Sequence, residues 1–154
     1  MEAHNSRNLT IHYSSDWSVD TIFEKHLELE KPFWGLDVGT SCNVPARKKV
    51  DERLKIGYVS PDFRTHSVAN LFEPFIRAHD KTTVERFCYY NDQIDDETTM
   101  RFKNLSEHWL SIVGQSDNNV VDLIQRDGIY ILVDLAGHTA NNRLTLFMRM
   151  PTPI

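Results

Sequence analysis

The chain has 154 residues, with 17 Lys plus Arg against 22 Asp plus Glu and a formal net charge of −5 at pH 7. Apolar residues make up 40% and charged residues 25%, the ordinary balance of a globular chain with enough Leu, Ile, Val and Phe for a core, which excludes wholesale disorder. The acidic balance argues against nucleic acid as a partner, since a polyanion calls for a basic face.

Cys42 and Cys88 lie far apart and form no CxxC pair, so neither a disulfide framework nor a structural zinc site is expected. The N-terminus MEAHNSRNLT has no apolar leader core, and no apolar run approaches a membrane span. A cytoplasmic setting without a membrane partner is the expectation.

Within residues 1–34 one helix is predicted after Ser18 as N-cap, with Ile22, Phe23, His26 and Leu27 on one face. The run GLDVGTSCNVPARKKVDE has neither the helical nor the strand period and reads as a connector over 35–53. Its ARKK cluster reads as a solvated charge run.

From residue 54 the pattern is regular. LKIGYVS (54–60) suits a strand, and SVANLFEPFIRAH (67–79) places Val68, Leu71, Phe72, Phe75 and Ile76 at helical spacing. Pro74 falls inside that helix, where a bend is expected. RFCYYN (86–91) reads as a strand, DETTMRFKNLSEHW (96–109) as a helix and WLSIVG (109–114) as a further strand. Ser116 is the expected N-cap of a helix with Val120, Val121, Leu123 and Ile124 on its apolar face. IYILVDL (129–135) is apolar enough for a parallel strand covered on both faces, and NNRLTLFMRM (141–150) is the last helical candidate. Phe72, Phe75, Phe87, Trp109 and Phe147 are assigned to the core.

This β-α alternation predicts an α/β fold, a doubly wound, Rossmann-like parallel sheet over 54–154, preceded by a short helical segment. The closing PTPI gives no structural reason to stop, so a truncated lobe is expected.

In such a sheet ligands bind beyond the carboxyl ends of the strands, near a switch in strand order. Two loops there are unusually polar: Ser60 to Ser67, and Ala136 to Arg143. Both leave the same edge of a parallel sheet, so His66 and His138 are expected to face one cleft. Each loop is also expected to run into a helix N-terminus, whose free N–H groups suit an anion or a sugar hydroxyl.

Bland roles stand beside these. His66 can cap a helix, Asp62 can hold its own turn, and Gly137 can answer a backbone need. His138 and Thr139 can face solvent, and Asp134, in an apolar strand, calls for a structural hydrogen bond to a loop. The glycine and histidine fingerprints of dinucleotide sites, P-loops, zinc proteases and serine hydrolases are all absent.

The run RLKIGYVSPDFRTHSVANLFEPFIRAHD (53–80) resembles the opening of the catalytic region of protein O-GlcNAc transferases, glycosyltransferase family 41, which includes SPINDLY-like proteins. DGIYILVDLAGHTANNRLTLFMRMPTPI (127–154) resembles the same family's second signature, with RMPTPI where RPAPIQ is usual. Residues 7–34 look like the link between the family's tetratricopeptide array and its catalytic region.

The resemblance implies a GT-B architecture of two Rossmann-like lobes, of which this chain supplies most of the N-terminal one. It implies an inverting, metal-free transfer of N-acetylglucosamine (fucose in SPINDLY-type members) from a nucleotide sugar such as UDP-GlcNAc to Ser or Thr hydroxyls of a protein acceptor. His66 matches a histidine considered as a base. Gly137, His138 and Thr139 match the loop near the donor sugar and phosphates, and Asp62 is a further substrate-binding candidate. No cofactor is expected beyond the donor. A missing C-terminal lobe is the implied partner, carrying most donor contacts including a phosphate-binding lysine, so this chain alone is expected to be inactive. The alternative is a non-catalytic α/β interaction module.

Overall fold

The structure, a computed structural model, describes residues 2–31, 52–149 and 151–154. The expected connector over 35–53, with Cys42 and the ARKK cluster, therefore lies almost wholly outside the described residues. Two helices come first, α1 (Glu2–Ile11) and α2 (Val19–Glu30). Then follow β1 (Leu54–Ser60), α3 (Ser67–Ala78), β2 (Val84–Tyr90), α4 (Glu97–Leu105) and β3 (His108–Ser111). The chain continues with α5 (Asp117–Asp127), β4 (Ile131–Asp134) and the short α6 (Leu144–Phe147).

The four strands form one parallel sheet in the order β3-β2-β1-β4. Successive residues of β1 and β2 alternate between two apolar clusters, as the two-residue period of a strand requires. Ile56, Tyr58, Cys88 and Tyr90 join Ala69, Phe72 and Ile76 of α3 and Phe102 of α4 on one face. Val59, Phe87 and Tyr89 join Val120, Val121 and Ile124 of α5 and Leu146 on the other. Right-handed crossovers explain the division: the chain moves one way across the sheet through β2 and β3, then reverses to β4, and reversal moves the next helix to the opposite face. Gly57 is set by packing, because a Cβ there would stand 2.9 Å from both Leu132 and Tyr89 and 3.2 Å from Ile129.

The expected α/β, Rossmann-like sheet preceded by a helical segment is therefore observed, with several local differences. β4, like β1 and β2, packs on both faces, with Leu132 against one apolar cluster and Ile131 and Val133 against the other, but it is less completely buried. β4 flanks β1 and only Leu132 in it is fully buried. Its outer side is met by the chain end, where Leu132 N–H donates to Ile154 O at 2.9 Å and Ile154 N–H to Tyr130 O at 3.3 Å.

Phe75 and Leu71 are 70% and 74% exposed, because α3 turns the stripe Ala69, Phe72 and Ile76 inward. The helix continues through Pro74. On α2, Phe23 and Leu27 of the predicted apolar face are exposed, and no residue of that helix is fully buried. The predicted helix over 96–109 ends at Leu105, where Ser106 N–H returns to Phe102 O at 2.9 Å. Glu107 then binds Arg86, and β3 starts at His108.

α1 was not expected. Its fully buried residues include two polar ones, Asn5 and Asn8, beside Ile11, so no apolar period marks it. No helix among the described residues is long and apolar enough to cross a membrane.

Candidate functional site

The strand order reverses between β1 and β4, so the loops leaving their carboxyl ends flank a topological switch point. The first loop is tightly built. Asp62 N–H donates to Ser60 Oγ at 2.9 Å, and Phe63 drops into the core among Phe72, Tyr90, Phe102 and Trp109.

This turn leaves the Asp62 side chain only 6% exposed. Its Oδ1 is 3.5 Å from Arg64 Nη2, and its Oδ2 is 3.6 Å from His66 Nδ1. Burial pushes the Asp62 carboxyl above the ordinary carboxylate range, and the charges of His66 and Arg64 oppose that rise. Arg64 also reaches Asp92, its Nε lying 3.4 Å from Oδ2.

His66 occupies the N-cap of α3, and its Nδ1 accepts from Val68 N–H at 3.3 Å. The loop is pinned from below by Asp96, whose carboxylate accepts from Thr65 N–H at 2.7 Å and from Thr99 N–H at 2.9 Å. Those two backbone bonds hold the Asp96 carboxyl well below its usual range. Sequence reasoning placed a helix start at Asp96 but missed this second grip on the first loop, for which no local pattern gives a signal.

The second loop begins with Asp134, which accepts from Ala136 N–H at 3.0 Å and Gly137 N–H at 2.8 Å. This is the structural bond expected of it. Burial raises the Asp134 carboxyl, and the two N–H groups pull it back. Gly137 has φ +55 with open space where a Cβ would stand, so its requirement is the left-handed backbone. Thr139 turns its hydroxyl back to Ala136 O at 2.8 Å, and Asn142 Nδ2 donates to Thr139 O at 2.7 Å. Asn91, at the end of β2, donates to Asn141 O at 2.8 Å and links this loop to the sheet edge.

The expected helix over 141–150 shrinks to the four residues of α6, with no side-chain cap at Arg143. Asn142 Oδ1 accepts from Leu144 N–H at 3.3 Å, but α6 has only four residues, so the second loop does not end on a helix N-terminus of useful length. His138 turns toward α1, not toward His66. Its Nδ1 is 3.0 Å from Asn5 Oδ1 and its Nε2 is 3.2 Å from Asn8 Nδ2. Burial holds the His138 imidazole below its ordinary value, with Glu30 opposing. A cavity of about 540 Å³ is lined by Asn5, Ser6, Leu9 and residues 138–142, and His66 does not line it. The N-terminal segment thus forms one wall beside the β4 loop, a contribution that neither period nor motif revealed.

Fold and loops together define a Rossmann-like α/β lobe with a polar edge at the switch in strand order. The family model described as "Glycosyl transferase family 41" matches residues 39–154. A probable UDP-N-acetylglucosamine--peptide N-acetylglucosaminyltransferase SPINDLY of Hordeum vulgare is 38% identical over 99% of this chain, which spans 16% of that protein. The UDP-N-acetylglucosamine--peptide N-acetylglucosaminyltransferase of Caenorhabditis elegans is 38% identical over 67% of the chain and 9% of its own length. Among solved structures, a mutant O-GlcNAc transferase of Thermobaculum terrenum aligns with TM-score 0.89 and 35% identity, covering 99% of this chain and 29% of that one. The chain belongs to glycosyltransferase family 41.

Proposed function

We propose that this chain is the N-terminal catalytic lobe, over 54–154, of an inverting transferase that moves N-acetylglucosamine from UDP-GlcNAc to Ser or Thr hydroxyls of cytoplasmic proteins. In this reading residues 1–34 link the lobe to a preceding tetratricopeptide array, and a second lobe closes the cleft over the switch point. The chain's coverage of only 16% of its barley relative is consistent with a larger enzyme. The observation that carries the reading is the Asp62–His66 pair at the carboxyl end of β1, beside the point where the strand order reverses.

The chemistry suits that pair. As the acceptor oxygen attacks, its proton needs an acceptor, while the sugar carbon gains positive character and the diphosphate departs with negative charge. With its proton on Nδ1 directed at Asp62, the His66 ring offers the Nε2 lone pair to the hydroxyl. Proton transfer then makes an imidazolium beside the Asp62 carboxylate, which stabilises it, as the acid does in an Asp-His pair of a hydrolase. The backbone of the Gly137–Thr139 turn serves the donor side, with the His138 ring anchoring that turn to α1, and the leaving phosphates are met by the second lobe. No metal takes part in the transfer.

The test is to incubate the full-length protein with UDP-GlcNAc and a Ser/Thr peptide, then determine the mass and anomer of the product. A β-linked N-acetylhexosamine from the α-linked donor supports the reading. An α-linked product or no transfer with any nucleotide sugar contradicts it and favours a non-catalytic interaction module.

A further inference from the structure

Polar atoms from three separate segments converge where the N-terminal helices meet the β4 loop. His4 Nε2 and Glu30 Oε1 are 3.2 Å apart, and His138 Nε2 lies 3.9 Å from the same oxygen. The three atoms fall within 4.8 Å of one another, an arrangement met once among the described residues. His4 comes from the first turn of α1, Glu30 from the last turn of α2, and His138 from the loop after β4.

At their centre stands Asn8, one helical turn beyond His4 on the same face of α1. Its Nδ2 is 2.8 Å from Glu30 Oε1 and 3.2 Å from Nε2 of both His4 and His138. An amide nitrogen carries two protons and is here asked to serve three partners. The other end of the same group is idle: Asn8 is 1% exposed, and its Oδ1 has no hydrogen-bond partner. A buried carbonyl left so is costly. A half-turn of the amide, which leaves its shape unchanged, brings that oxygen to the place Nδ2 now occupies. Two imidazole nitrogens, a carboxylate oxygen and a carbonyl oxygen then face one point.

The outer contacts fit the same picture. Asn5, itself buried, presents Oδ1 to His138 Nδ1 at 3.0 Å. A carbonyl oxygen only accepts, so the proton sits on Nδ1 and the Nε2 lone pair is directed inward. Such a partner on the far nitrogen is what fixes the tautomer of a metal-binding histidine.

We propose that His4, Glu30 and His138, with Asn8 Oδ1 as fourth donor, bind one zinc-class divalent cation that fastens the β4 loop to the N-terminal helices. Donors held about 2.1 Å from a tetrahedral zinc are about 3.4 Å apart. The observed 3.2 Å and 3.9 Å require only small side-chain adjustments. Two imidazoles select zinc, cobalt or nickel over magnesium and calcium, which take oxygen ligands. The cation is structural: it holds the wall of the cavity beside the β4 loop, and His66 is not among its ligands. The inference stands independently of the transferase reading, because it uses only the seam between the helices and the loop.

The test is a titration of chelator-treated full-length protein with Zn²⁺, and with Co²⁺ as a spectroscopic probe. Wild type is expected to take up one ion more per chain than Glu30→Gln, to give the strong visible bands of tetrahedral cobalt, and to gain thermal stability with Zn²⁺. Glu30→Gln keeps the side-chain shape and an acceptor for Asn8, and is expected to lose affinity by on the order of 100-fold. His138→Gln is titrated in parallel and is expected to show the same loss, so a folding defect in one variant does not decide the result. Equal uptake by wild type and both variants, or no uptake by wild type, overturns the proposal.

Discussion

His66 Nδ1 lies 3.6 Å from Asp62 Oδ2 and 3.3 Å from the backbone N–H of Val68. One nitrogen thus stands between two mutually exclusive duties. Without a proton it caps α3, and with one it turns to Asp62 and frees Nε2. The cap contact is long for a hydrogen bond, so the exchange gives up little. A residue that closes a helix and relays a proton needs both partners near, and the turn from Ser60 to His66 supplies them.

Asp62→Asn keeps the size of the side chain but removes the charge that stabilises an imidazolium. In the full-length enzyme kcat is expected to fall by on the order of 100-fold, with little change in KM for the donor. Steady-state kinetics with varied UDP-GlcNAc check this. A rise in KM alone would mean that Asp62 binds substrate and does not support the proton transfer.

Asp96 gives a stability prediction with a defined sign. Its folded value is depressed by the backbone N–H groups of Thr65 and Thr99. The unfolded chain therefore binds the proton first as pH falls below about 3.9. The stabilisation is full above that pH and is lost on acidification toward the lower folded value. Asp96→Asn, still a competent cap, is expected to flatten the acid limb of a plot of urea midpoint against pH. An unchanged acid limb would contradict this.

Gly57→Ala would put a methyl group 2.9 Å from the side chains of Leu132 in β4 and Tyr89 in β2, the strands on either side of β1. The overpacking is expected to cost about 1–3 kcal/mol, read as a lower denaturant midpoint at unchanged slope.

Arg86 is 1% exposed, and its guanidinium meets Glu107 Oε2 at 3.2 Å and Ile76 O at 3.3 Å. Glu107→Ala leaves that charge without its carboxylate. Because Glu107 is partly solvated, the expected loss is about 2 kcal/mol, below that of a fully buried pair. Equilibrium unfolding measures it.

Much of the sheet was legible because its signals are local. Ser18 and Ser116 cap their helices as read, accepting from Thr21 N–H at 3.1 Å and Asn119 N–H at 3.3 Å. The alternation of β1 and β2 is visible in seven residues each. The failures have a common cause. α1 buries Asn5 and Asn8 against partners such as His138, more than 100 positions away, which no window contains. The late start of α6, at Leu144, likewise goes with Thr139 and Asn142 bonding back to Ala136 O and Thr139 O. Loops at the switch point were correctly located, but the direction in which His138 turns depends on a helix that the sequence pattern did not announce.

The most direct measurement is sugar transfer by the full-length protein carrying His66→Asn, beside its thermal stability. Asn caps a helix as well as His but cannot take the acceptor's proton. The expected result is a melting temperature close to wild type with kcat lowered by about 10²–10⁴-fold. Wild-type kcat in a stably folded His66→Asn protein would contradict the placement of the reaction at the end of β1.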